Sequence, residues 1–119
     1  MQSFYGTRDP RSVREARGLV VDAVEAGGCG ELAWTASLLT SELATNALIH
    51  GDTPFGVRVL RTEAGVRVEV DDDGGGTPVE LGVDNTADRG RGLMMVARMA
   101  RRWGVERHGN YGKTVWFEL

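Results

Sequence analysis

Three groups of residues in this sequence have the types and spacing that chemistry needs. Glu42, Asn46 and His50 recur at i, i+4 steps, so a helix through them presents one polar stripe on an otherwise apolar segment. Such a stripe reads either as a solvated face or as a row aimed at a ligand. In the second case the Asn46 amide oxygen can complete the shell of Mg²⁺, which takes hard oxygens and keeps waters and substrate phosphates. The Glu42 carboxylate, one turn away, can accept a proton from a hydroxyl nucleophile.

The second group is Val68-Glu69-Val70-Asp71-Asp72-Asp73-Gly74-Gly75-Gly76. Three adjacent aspartates read by default as a charged turn, but strand register separates them. If Val66, Val68 and Val70 face a core, the period of two puts Asp72 on the same face. A carboxylate there needs a partner, because burying it alone is costly. The exocyclic amino group of an adenine is one suitable donor, and Gly74 and Gly76 let the backbone pass close to a base with no Cβ in the way. The third group, Arg89-Gly90-Arg91-Gly92-Leu93, is expected to open a helix. Free N–H groups and the helix dipole favour phosphate at such a start, although a plain loop also contains Gly-x-Gly.

Two better-known phosphate motifs are excluded. Gly112-Lys113-Thr114 ends like a P-loop, but Arg107 holds the required first glycine position and a strand follows. Gly90 and Gly92 do not extend to a dinucleotide fingerprint, since Met95 holds the third glycine position. His50 and His108 have no neighbours at metal-ligand spacing, and His108 reads as a turn residue.

The elements that must position these groups follow from periodicity. Asp9-Pro10 starts a first helix, with Val13, Ala16, Val20, Ala23 and Val24 on its apolar face and Gly27-Gly28 at its end. A second helix is expected from about Glu31 to Ile49, with Leu32, Ala36, Leu39, Leu43 and Ala47 on one stripe. Phe55, Val57 and Val59 alternate, as do Val66, Val68 and Val70, and Glu63-Ala64-Gly65 turns between them as a β-hairpin. A third helix is expected over roughly Leu93 to Arg102. Two last strands, near Val105–Arg107 and Lys113–Leu119, bury Val115, Phe117 and Leu119. The order α-α-β-β-α-β-β predicts an α+β fold, a two-layer sandwich with a mostly antiparallel, mixed sheet and helices on one face.

Composition sets the outer limits. The 119 residues suit one domain over 1–119, with 41% hydrophobic and 26% charged residues as in an ordinary globular protein. The single Cys29 excludes an intramolecular disulfide framework and a four-cysteine zinc site, and suits a reducing cytoplasm. No apolar run approaches the roughly 18 residues of a membrane span, and no charged-then-apolar leader opens the chain, so a cytoplasmic location without membrane contact is expected. Seventeen acidic against 14 basic residues give a net charge of −3, which argues against direct nucleic-acid binding.

Taken together, the clusters resemble the GHKL, or histidine kinase-like, ATP-binding fold, and within it the bacterial anti-sigma factor serine/threonine kinases. The stretch Glu42-Leu43-Ala44-Thr45-Asn46-Ala47-Leu48-Ile49-His50-Gly51 looks like the N box of that branch. Asp72-Asp73-Gly74-Gly75-Gly76 matches the Asp-x-Gly-x-Gly of its G1 box. Gly90-Arg91-Gly92-Leu93 resembles its G2 box, and Gly112-Lys113-Thr114 the glycine-threonine element of the closing strand. Arg102-Trp103-Gly104-Val105 followed by Gly112 to Leu119 is similar to the ending of short actinobacterial members.

The resemblance implies that the cofactors are ATP and Mg²⁺. By it, Asn46 holds the metal on the ATP phosphates, and Glu42 is the general base. Asp72 reads the adenine, Gly74 and Gly76 shape its pocket, Gly90 and Gly92 belong to a lid over the phosphates, and Thr114 sits near the adenine edge. The implied activity is an ATP-dependent protein serine/threonine kinase that binds a sigma factor and phosphorylates a STAS-domain anti-anti-sigma protein. Family members often dimerise, so a homodimer is among the implied assemblies. The alternative is a catalytically weak module in which nucleotide switches affinity for a protein partner.

Overall fold

The computed structural model describes residues 2–7, 9–48, 54–73, 87–109 and 112–119, with 87–91 as helical backbone. Helix α1 spans Arg11–Ala26 and buries Ser12, Ala16, Val20 and Val24, one residue per turn. Pro10 stands at its cap, and just ahead the Asp9 carboxylate accepts the Arg11 backbone N–H at 2.9 Å. Hydrogen bonds from the Arg11 side chain and backbone hold the exposed Asp9 carboxyl below its ordinary range. The helix stops at Gly27-Gly28, where Gly28 takes φ +83°.

A 3₁₀ turn over Gly30–Leu32 leads into α2, Ala33–Asn46, so the helix expected from Glu31 begins with a tighter turn. Its buried side chains are Ala36, Leu39, Thr40, Leu43 and Ala44. Strands β2, Phe55–Arg61, and β3, Val66–Asp72, form the expected hairpin. Its turn is closed by the Gly65 N–H donating to the Thr62 hydroxyl at 3.0 Å. Burial along β3 alternates strictly, with Val66, Val68, Val70 and Asp72 buried on one face.

Helix α3 runs from Ala87 to Met99, six residues ahead of the start expected at Leu93. Gly90 and Gly92 therefore lie within the helix and not before it. Glycine disfavours helix interiors by about 1 kcal/mol, which is why the sequence pattern placed the start after both. Leu93 and Val96 are buried, while Met94 and Met99 are exposed. Strands β4, Arg102–Arg107, and β5, Lys113–Glu118, close the chain.

The sheet order is β1-β2-β3-β5-β4, and every neighbouring pair is antiparallel where a mixed sheet was allowed. Its first strand, β1 over Gln2–Gly6, was not expected from the sequence. This edge strand has no apolar alternation, and only Gly6 is buried. Pairing with β2, from Gln2 opposite Val59 to Gly6 opposite Phe55, defines it. The helices cover one face of the sheet. Val57, Val59, Val68, Val70, Val115 and Phe117 meet Ala16, Val20, Leu39 and Leu43 in one core.

Candidate functional site

At the end of β3 the core face stops being apolar. Asp72, the last residue of β3, lies opposite Lys113, the first of β5. Lys113 Nζ donates to Asp72 Oδ1 at 2.9 Å, and each side chain is only 6% exposed. The partner that a carboxylate on this face requires is thus supplied by the protein, and an adenine amino group is not needed to satisfy it. The backbone is built around this rung. Gly112 has φ +117°, and a Cβ there would stand 2.0 Å from the Asp72 carbonyl oxygen and 2.8 Å from Asp73 Cα. A cleft of about 240 Å³ runs beside Asp71, Asp72 and Asp73, bounded by Tyr5, Gly6 and Phe55.

One residue earlier, the same ladder points the other way. Asp71 lies opposite Thr114, and both side chains are on the sheet face away from the helices. The Thr114 hydroxyl donates to Asp71 Oδ1. With its proton committed there, it accepts from His108 Nε2 at 2.8 Å, which fixes the tautomer of that ring. Arg58 Nη2 also donates to Asp71 Oδ1 at 3.0 Å and pairs with Glu69 at 3.1 Å. Further along this face Arg67 bonds Glu69 and Glu118 and lies 4.0 Å from the Trp116 ring centre. Burial works against the Arg67 charge, but its hydrogen bonds to the two glutamates outweigh this and raise its affinity for the proton. Thr114 therefore stands with Asp71 and His108, across the sheet from Asp72.

Of the polar stripe, the two described residues on α2 are not fully solvated. Glu42 and Asn46 are half-buried. They point at α3 where it carries Gly92. A Cβ on Gly92 would lie 2.9 Å from Asn46 Nδ2, 3.4 Å from Glu42 Cβ and 3.4 Å from Glu42 Oε2. Absence of a side chain at 92 is what allows the two helices to meet with a carboxylate and an amide between them. Glu42, Asn46 and Gly92 are thus brought together, and Asp72 ends the strand against which α2 packs. Gly90 lies one helical half-turn before Gly92. Gly74, Gly76 and His50 lie outside the described residues.

Comparison with known proteins gives the family and the fold. The sequence profile of the histidine kinase-like ATPase domain covers residues 7–119. The chain belongs to that family. No curated protein sequence matches it. Among solved structures, it is similar to the histidine kinase domain of the blue-light activated histidine kinase from Erythrobacter litoralis EL346, with 21% identity and a TM-score of 0.56. The match covers 90% of this chain and 58% of that one, so this histidine kinase-like ATPase domain corresponds to little more than half of that protein's length. At this identity the likeness is one of fold.

The described residues of this ATPase-type domain include no group of three His, Cys, Asp or Glu side chains able to hold a metal. Mg²⁺ takes hard oxygen ligands and usually keeps waters and substrate phosphates, and the Asn46 amide oxygen is of that type. The half-buried amide and carboxylate converging on a glycine fit such a group. None of the helices among the described residues is long and apolar enough to cross a membrane. Lys113 is a site residue that none of the sequence motifs assigns. The alternation of Leu119, Phe117 and Val115, carried one step back, lands on it and separates it from Thr114.

Proposed function

We propose that this domain binds ATP with Mg²⁺ and transfers the γ-phosphoryl group to a serine or threonine of a STAS-domain anti-anti-sigma protein, while also binding a sigma factor. The observation that carries the reading is the meeting of Gly92 with Glu42 and Asn46. This joins the two boxes that, by resemblance to the anti-sigma factor kinases, handle the phosphates and the nucleophile.

In this reading Asn46 would hold Mg²⁺, which would supply neutralisation of phosphate charge, and the glycines of α3 would admit the phosphates close to the backbone. Glu42 accepts the proton of the attacking hydroxyl as its oxygen bonds to the γ-phosphorus and ADP leaves. Asp72 accepts a hydrogen bond from the adenine amino group. Positioning and charge neutralisation, not covalent chemistry by the protein, supply most of the rate.

The test is incubation with ATP, Mg²⁺ and a STAS-domain protein, with phosphorylated residues located by mass spectrometry. Phosphoserine or phosphothreonine is expected on the partner, and Glu42→Ala should slow its formation about 10²–10³-fold. Undiminished transfer by that variant would remove Glu42 as the base. Nucleotide-dependent partner binding with no phosphoprotein would favour the switched binding module.

A further inference from the structure

Lys113 is the only lysine of the chain, and its ammonium is buried against Asp72. A buried ion pair is a poor device for stability, since a well-packed apolar pair of similar volume often serves as well or better. The placement of this one is specific. It occupies the last rung of the β3–β5 ladder, at the end of the core face, and Gly112 brings the closing strand against Asp72 at that point. The arrangement fixes one carboxylate, in charged form and in one orientation, where β3 leaves the sheet.

We infer that Lys113 is a positioning residue for base recognition: by donating to Oδ1 it holds Asp72 as an ionised, oriented acceptor for an exocyclic amino group on the nucleotide base. The inference rests on the nucleotide reading above and adds to it a residue that acts through Asp72. A preoriented charged acceptor makes a stronger hydrogen bond than one that must first be ordered. Thr114 has no part in this, since its hydroxyl is committed to Asp71 on the other face.

The experiment compares two nucleotides by titration calorimetry with Mg²⁺: ATP, and purine riboside triphosphate, which lacks the 6-amino group. Wild type should prefer ATP about tenfold, the effect of one charge-assisted hydrogen bond. Lys113→Met should weaken ATP binding about tenfold and leave purine riboside triphosphate nearly unchanged, so that the preference disappears. Lys113→Arg, which keeps the charge, should retain part of the preference. A Lys113→Met protein that loses affinity for both nucleotides by the same factor would overturn the inference, because that is what a purely structural pair predicts.

If Lys113→Met does not fold, Asp72→Asn is compared with Asp72→Asn/Lys113→Met, where no buried carboxylate is left without its cation. Equal ATP affinity in these two supports action through Asp72; a further tenfold loss in the double variant contradicts it. Wild type that binds neither nucleotide overturns the nucleotide reading itself, before any variant is made.

Discussion

Asp71 and Asp72 are neighbours in sequence, yet the two rungs they begin are chemically opposite. Asp72 meets the Lys113 ammonium in a nearly dry setting, with both side chains 6% exposed. Asp71 is 36% exposed and shares one carboxylate oxygen with Arg58 and Thr114, the latter held in turn by His108. The first arrangement concentrates charge at one place on the core face. The second spreads it over a polar surface that continues through Glu69, Arg67 and Glu118. A shift of one residue in strand register would exchange them, so the register of β3 decides which aspartate stands on the core face.

Both rungs depend on Gly112, where the closing strand meets β3. Gly112→Ala places a methyl group 2.0 Å from the Asp72 carbonyl oxygen at φ +117°. We expect it to lose more than about 5 kcal/mol, much of the stability of a domain this size, and to show no cooperative urea transition. Normal unfolding of this variant would mean that the closing strand does not approach β3 as described.

Lys113→Met tests the core-face rung alone. Removing one member of a buried pair should cost about 3–5 kcal/mol, measured as a drop in urea midpoint at constant m-value. Asp71→Asn tests the outer rung, where solvent screens the charges and the amide still accepts a hydrogen bond. There the expected loss is about 1 kcal/mol. Equal losses at the two positions would erase the distinction between the faces.

Much of this arrangement is legible in the sequence. The alternation of Val66, Val68 and Val70 places Asp72 on the core face, and the i, i+4 spacing of Glu42 and Asn46 places them on one helix face. What the sequence conceals is set by partners distant along the chain. The edge strand β1 exists through pairing with β2, without an apolar pattern of its own. The early turns of α3 contain glycines that disfavour helix, and the close fit of Gly92 against Glu42 and Asn46 requires α2 to be in place. Thr114 looks like the polar residue of the closing strand by type, whereas pairing assigns the Asp72 side to Lys113. Residue type suggests chemistry, and register decides which residues can share it.

If the domain binds ATP as proposed, the Asp72 side of the sheet belongs to the nucleotide site and the Asp71 side does not. Titration calorimetry of ATP with and without Mg²⁺ on wild type, Asp72→Asn and Asp71→Asn separates the two sides. Mg²⁺-dependent binding to wild type is expected, weakened at least about tenfold by Asp72→Asn and changed less than about twofold by Asp71→Asn. Equal weakening by both substitutions, or no binding of ATP to the wild-type chain, would contradict this assignment.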